Sequence, residues 1–324
     1  MIRVKFSFPK LTRHFIAYLL LAVLTCLFVV ACSSQTPTNI ESDKTPNSDC
    51  RVVQHDMGET CVPLNPQRVV GLSNTGFFAL DLGIEPVGIV HSSLVETLGL
   101  ESQVKDIEDI GNPPNLEKLL ALKPDLIFGW GHENIYGQLS QIAPTVLKNW
   151  ENSGQWKKAL MFYADLLGKT DVAKQLMADY DRRIAEFQQQ MGETLNQTEV
   201  SVIRVRPDVF DLDLKQSFAG TIIDDIGLSR PPSQDKNGFA INNLSKEYIA
   251  DANGDVIFVW TYGHEPRIAR KAESALQKLK ADPLWSQLEA VRQNKVYQVP
   301  GYWIGYNMKA ANLVLDDLFE CLVE

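Results

Sequence analysis

The chain has 324 residues, 45% of them hydrophobic and 22% charged, enough for a sizeable core divided between two lobes. A formal net charge of −9 argues against nucleic acid or anionic lipid headgroups as the main partner. It leaves room for a small anionic ligand held by a few local arginines.

Residues 1–31 carry Arg3, Lys5, Lys10 and Arg13 and no acid, and their second half is an apolar run broken only by Thr25. A basic head followed by an apolar run is a secretory signal. The run is slightly short for a membrane span. It ends VVAC at Cys32, followed by SSQTPT, which resembles the acylation site of bacterial lipoproteins. The resemblance implies cleavage before Cys32 and a lipid on that cysteine; a plain uncleaved anchor is the alternative. Either way the body lies outside the cytoplasm, tethered to a membrane. Residues 32–49 are rich in Ser, Thr, Pro and Asn and read as a flexible tether. Cys50 and Cys61 bracket RVVQHDMGET, a hairpin pattern with its turn near 56–58, and an oxidising compartment favours a disulfide between them. Cys321 is left over in the apolar final helix and reads as a buried thiol.

From residue 50 onward short apolar runs alternate with helical segments. Strand-like runs fall at 68–72, 86–90, 125–130 and 145–148, and helical patterns at 76–82 and 116–122. Then comes 170–192, TDVAKQLMADYDRRIAEFQQQMG. Val172, Ala173, Leu176, Met177, Tyr180, Ile184, Phe187 and Met191 recur at the spacing of one helix face. Thr170 or Asp171 suits an N-cap and Gly192 a stop. Such a helix is roughly 30 Å long. After it the scheme repeats, with strands at 200–206, 255–260 and 295–299 and helices at 221–226, 246–250 and 308–322. The pattern predicts an α/β fold of two Rossmann-like lobes, each a mostly parallel sheet flanked by helices. The N-terminal lobe takes 50–154, linking helices with the long spacer take 155–192, and the C-terminal lobe takes 193–324. A stiff spacer also predicts limited closure on a ligand.

NLEKLLALKPDLIFGW, ending at Trp130, echoes NLSKEYIADANGDVIFVW, ending at Trp260. Glu117 and Glu247 each stand 13 residues before their tryptophan, and Asp125 and Asp255 each stand five before. Several matches in register suggest two lobes built alike. Each glutamate lies in the first turn of its helix, where the helix dipole favours a carboxylate, and capping is one role for it. Similar lobes side by side would also expose one carboxylate at each tip, a docking pattern for a partner with two basic sites.

With these pieces in order, together with MGET–NPQRVV, LDLGIEPVGIV, IRVRPDVF and VYQVPGYW, the chain from Cys50 to its end resembles the class III periplasmic binding proteins. That family serves ABC importers of ferric siderophores and cobalamin. The resemblance implies a membrane-anchored, monomeric iron-transport protein of the periplasm or cell surface, with no catalytic residue and no cofactor. Glu117 and Glu247 are implied to dock on arginines of the permease dimer.

Ligands of open α/β sheets lie beyond the carboxyl ends of the strands. The side chains just past those ends are Trp130, His132, Tyr136 and Trp150 in the first lobe. In the second they are Trp260, Tyr262, His264, Arg267, Tyr302, Trp303 and Tyr306. About half of these rings belong to lobe packing. Arg204 and Arg206 alternate on one strand and share a face, suited to a forked grip on anionic oxygens, with Arg204 the first choice. The alternative is that one of them pairs with Asp208 or Asp211. The ligand set is therefore Arg204, Arg206, Trp130, Tyr136, Trp260, Tyr262, His264, Trp303 and Tyr306. The expected ligand is an iron(III)–siderophore of citrate or hydroxamate type, which supplies its own iron ligands. Alternatives are cobalamin, haem, or a metal ion held directly by His91, His132 and His264. A hydrolase would need Glu117 and Glu247 as a catalytic pair, and no nucleophile elbow, H-E-x-x-H or P-loop is present.

Overall fold

The structure, a computed structural model, describes residues 50–263 and 265–323. The signal, the tether and Cys32 lie outside the described residues, as does His264. Among the described residues, no helix is long and apolar enough to cross a membrane.

The described part opens with a hairpin, β1 (Cys50–His55) and β2 (Gly58–Pro63). Its register sets Val52 opposite Cys61 and turns at Asp56–Met57. Cys50 and Cys61 are joined by a disulfide with their Cα atoms 5.6 Å apart. The first sheet follows: β3 (Val69–Gly71), helix α1 (Gly76–Asp81), β4 (Gly88–Ile89), β5 (Glu108–Asp109), α2 (Leu116–Leu122), β6 (Leu126–Gly129), α3 (Tyr136–Ile142) and β7 (Thr145–Leu147). All five strands of this sheet are parallel, in the order β5-β4-β3-β6-β7. Gly71 and Gly76 let the start of α1 press onto the end of β3, since a Cβ on Gly71 would come within 2.4 Å of Gly76.

Helix α4 (Trp156–Leu166) leads into the spacer α5 (Thr170–Met191), an unbroken 22-residue helix. Gly192, at φ 54°, ends it. Its start differs from expectation: Lys169 precedes the first turn, and no side chain caps it. The apolar stripe is also shorter than its spacing implied. Ala173, Tyr180, Ile184, Phe187 and Met191 are buried, whereas Val172 is 39% exposed.

The second sheet holds β8 (Val200–Arg206), β9 (Val209–Asp213), β10 (Ala240–Leu244), β11 (Val256–Thr261) and β12 (Val296–Gln298). Between and after them lie α6 (Phe218–Ile226), a 3₁₀ helix (Lys246–Ala252), α7 (Pro266–Lys280) and α8 (Met308–Leu322). The order is β10-β9-β8-β11-β12. This is the same positional order as the first sheet, with the first strand of each at the centre, paired to the second and the fourth. One direction differs: β9 runs antiparallel to both β8 and β10. The cause is local. Pro207 and Asp208, the latter at φ 67°, make a two-residue reversal after Arg206 where a helical crossover would keep the strands parallel.

The echoed aspartates have a shared structural role. Asp125 accepts the backbone N–H groups of Gln67 and Arg68 at 2.7 and 2.9 Å, just ahead of β3. Asp255 accepts that of Glu199 at 2.8 Å, just ahead of β8. Each therefore pins the start of the neighbouring parallel strand. The echo is less complete in the helices. Asn115 caps α2 through the N–H groups of Glu117 and Lys118, whereas its counterpart is a 3₁₀ helix whose Ser245 makes no such cap.

One apolar core runs through both lobes and the spacer, from Phe78 and Tyr163 through Ile184 and Phe187 to Ile222 and Leu315. Separate cores lie on the other face of each sheet, under α2 and α3 in the first lobe and under α7 in the second.

Candidate ligand-binding site

The lobes meet where strands end. Trp130, just past β6, stands edge-on to Tyr306, which follows β12, with ring centroids 5.4 Å apart. Phe78 of α1 lies 6.2 Å from the same tyrosine ring. These rings, with Asn149, Trp150, Ser153 and Trp156, enclose a pocket of about 200 Å³. The Tyr306 hydroxyl and the Ser153 hydroxyl are buried there without a hydrogen-bond partner among the described residues. Burial pushes the Tyr306 phenol well above its ordinary range, so it stays protonated and offers a donor. Beside the seam, Ser73 (φ 52°) and His132 Nε2 lie 3.1 Å apart. Burial lowers the His132 pKa and favours the neutral ring.

The parallel strands β8, β11 and β12 bring their carboxyl ends to one edge of the second sheet. Arg204 and Arg206 stand there on one face of β8, as their alternation requires. Both bind the same acid. Arg204 Nε and Arg206 Nε each donate to Asp211 Oδ2 at 2.8 Å, and Arg206 Nη2 donates to Asp211 Oδ1 at 2.8 Å. Asp211 faces Arg204 directly across the antiparallel pair. Asn242 accepts from Arg204 at 3.0 Å, and Asn243 accepts from Arg206 at 2.6 Å. Burial raises the Asp211 pKa, but the bonds from Arg206, the Asn243 N–H and Arg204 outweigh it and hold the carboxyl below its ordinary range. Two guanidiniums thus share one firmly ionised carboxylate, and the trio carries surplus positive charge.

The two arginines differ in access. The Arg204 side chain is 8% exposed and lies between the rings of Phe239 and Trp260, at 5.4 and 5.8 Å. The Arg206 side chain is 30% exposed. Sequence reading put Arg204 first; in the structure Arg206 has the more exposed edge, and Arg204 holds Asp211 beside it. Both arginines pair with the same acid, where sequence reading weighed one such pairing.

The other candidates divide. Trp130 and Tyr306 line the seam pocket. Tyr262 is half-buried, with its ring 5.9 Å from that of Trp260. Trp260 itself is buried, with the Arg204 guanidinium 5.8 Å from its ring. Tyr136 faces the hairpin, with its ring 5.7 Å from that of His55 and its hydroxyl 3.4 Å from Thr60 Oγ1, which is a packing position. Trp303 is fully buried, stacked 4.6 Å from Phe258 and bonded through Nε1 to Asp317 at 2.7 Å; it belongs to the core because the segment after β12 turns inward. Sequence reading named Asp211 as a possible partner of one arginine, and it missed Asn242, Asn243 and Phe239. The Pro207–Asp208 turn was the available signal, since a two-residue reversal there sets Asp211 opposite Arg204. Among the described residues, no group of three or more His, Cys, Asp or Glu is placed to hold a metal ion.

With this geometry in hand, the chain matches the family described as "Periplasmic binding protein" over residues 77–302. It belongs to that family. Among its relatives within the periplasmic binding proteins is the "Probable siderophore-binding lipoprotein YfiY" of Bacillus subtilis. The two are 35% identical over 323 residues, covering 94% of this chain and 97% of that one. The "Fe(3+)-citrate-binding protein YfmC" of the same organism is 31% identical over 294 residues, covering 88% and 89%. Among solved structures of the same architecture, Staphylococcus aureus SirA complexed with staphyloferrin B superposes with a TM-score of 0.72 at 29% identity, covering 84% of this chain and 98% of SirA.

Proposed function

We propose that this chain captures an iron(III)–siderophore outside the cytoplasm and hands it to the permease dimer of an ABC importer. The cargo is a citrate- or hydroxamate-type chelate whose own oxygens hold the iron. The protein grips the outside of that complex. The observation that carries the proposal is the arginine pair: Arg206 presents a half-open guanidinium on the strand-end edge, with Arg204 and Asp211 locking its position. A surplus cation at a fixed angle suits outward carboxylate or hydroxamate oxygens. Trp130 and Tyr306 supply an apolar wall with one buried donor. The names of the relatives, siderophore-binding and Fe(3+)-citrate-binding, support this cargo class.

In the same proposal residues 1–31 are the signal, Cys32 carries the lipid and 32–49 tether the body to the membrane, which the protein touches in no other way. The protein works as a monomer and catalyses nothing. Glu117 and Glu247, both exposed, dock on the permease. Fluorescence titration of the purified protein with ferric citrate, a ferric hydroxamate, a ferric catecholate, cobalamin, haem and Zn²⁺ tests the cargo. One of the first two is expected to bind at micromolar concentration or tighter. Saturation only by cobalamin, haem or Zn²⁺ would overturn the assignment. The Glu117→Ala/Glu247→Ala double variant is expected to abolish uptake with chelate affinity unchanged; full uptake would remove the docking role.

A further inference from the structure

The disulfide-closed hairpin carries an acid that the proposed grip on the cargo does not use. Its turn, at Asp56–Met57, sits against the carboxyl end of β7. The Asp56 N–H donates to Leu147 O at 3.0 Å, the Leu147 N–H to His55 Nδ1 at 3.4 Å, and Thr60 Oγ1 to Thr145 O at 3.0 Å. The Asp56 carboxylate then takes two donors from the segment after β7. Lys148 Nζ lies on Oδ1 and the Asn149 N–H on Oδ2, each at 2.7 Å. Burial alone would raise the Asp56 pKa, but those bonds outweigh it and hold the carboxyl below its ordinary range, ionised.

Asn149 passes the constraint on. Its Oδ1 accepts the Gly131 N–H at 3.0 Å, and its Nδ2 donates to Glu133. Gly131, at φ 71°, directly follows Trp130. A glycine permits that left-handed turn without holding it. The bond to Asn149 therefore limits the turn, together with Ser73 Oγ, which donates to Trp130 O at 3.3 Å. Asn149, Trp150 and Trp130 all line the seam pocket, and Asp56 does not.

We infer that Asp56 is a positioning residue for cargo binding: it fixes the Asn149–Trp150 wall of the seam pocket and, through the Gly131 turn, the Trp130 ring. The inference rests on the seam as part of the cargo site and deepens that reading. A wall ordered before the cargo arrives lowers the cost of ordering it on binding. Charge alone predicts the opposite sign. Asp56 and Glu133 are carboxylates beside a site for a ferric chelate, so deleting either would tighten an anionic cargo and leave a neutral one unchanged.

The test titrates the full chain with ferric citrate and a ferric hydroxamate, and the one that binds the wild type more tightly is used throughout. Asp56→Ala should weaken binding at least fivefold, although it deletes a negative charge. Asp56→Asn keeps one acceptor and should recover much of that loss. Glu133→Gln keeps the acceptor for Asn149, so affinity should hold or tighten. In a Trp130→Ala background the effect of Asp56→Ala should shrink below twofold, because part of the wall it orders is gone; in an Arg206→Ala background it should persist in full. In the cargo-free protein the amide of Gly131, which Asp56 does not contact, should exchange at least threefold faster in Asp56→Ala by NMR. Unchanged or tighter binding by Asp56→Ala, or an effect equally large in both backgrounds, overturns the positioning role. If Trp130→Ala weakens binding and Asp56→Ala does not, that role alone falls. If Trp130→Ala leaves affinity unchanged, or the wild type binds neither chelate, the cargo reading of the seam falls and the role of Asp56 with it.

Discussion

Arg204 and Arg206 hold one carboxylate between them, and their unequal exposure separates affinity from stability. Removing Arg206 leaves Asp211 paired with Arg204, so the fold is spared while the reachable cation is lost. A hydrogen bond to a charged group contributes about 1.5–3 kcal/mol, so Arg206→Ala should weaken binding of an anionic ferric chelate roughly 10- to 100-fold. Calorimetric titration measures this, and the melting temperature should barely move. Arg204→Ala should instead cost about 3 kcal/mol of stability, because it strips a buried acid of one partner. Denaturant unfolding measures that loss, and a reversed pattern would make Arg204 the binding residue. Asp81 gives a pH signature. Its carboxylate, at the end of α1, accepts the N–H groups of Met308 and Lys309 at 2.9 and 3.2 Å, across the lobe interface. Burial pushes its pKa up to about 7, against the opposing pull of those bonds. A carboxyl with a raised pKa binds its proton more readily in the fold than in the unfolded chain. Its contribution is therefore fully present below about 4 and is lost as pH rises through 7. The stability of the wild type relative to Asp81→Asn should grow as pH falls from 8 to 5, by at most about 1.4 kcal/mol per pH unit. A difference flat with pH would place the Asp81 pKa outside that window.

At the scale of the element, the spacer helix and the hairpin β8–β9 set the geometry. Helix α5 is held along its C-terminal half by its buried face and by polar ties: Tyr180 donates to Asp225 at 2.6 Å, and Arg183 donates to Asn312 at 2.7 Å. Ala178 is an exposed interior position of this helix. Proline there removes a helical hydrogen bond and clashes with the preceding turn, at a cost of about 3 kcal/mol or more. Ala178→Pro should lower the unfolding free energy by that amount and broaden the distance between spin labels on the two lobes. An unchanged distance distribution would mean that the packed core, rather than the continuous rod, holds the lobes apart. The hairpin acts more locally, carrying Asp211 back to a place opposite Arg204.

In the whole molecule, the core that runs from Phe78 through Ile184 to Leu315 leaves little freedom for the lobes to swing. The bonds from α8 to Asp81 and the Trp130–Tyr306 contact add two further ties between them. Closure by a large hinge motion would have to break buried contacts that a loop hinge does not make. Small-angle scattering with and without the bound ferric chelate should therefore give radii of gyration within about 1 Å of each other. A compaction of several ångströms would contradict a rigid frame. Free Cys321 is half-buried, and burial raises its pKa to about 11, so alkylation at neutral pH is slow and a cysteine-based labelling scheme would leave it largely untouched.

The sequence by itself determined the architecture. Apolar runs mark most of the strands and the uninterrupted helix, though β5, β9 and β10 were not read from them, and an aspartate five residues before each tryptophan recurs because each pins the start of a neighbouring strand. Those are local or repeated signals, and a linear pattern records them. Which guanidinium is exposed, which rings line the seam and which are core were decided only by tertiary structure. Trp303 and Trp130 both follow strands, yet one is fully buried and the other lines the seam. The physical reason is that exposure depends on what packs against a side chain from distant parts of the chain. Asp211 took both guanidiniums because a two-residue turn folded β9 back along β8.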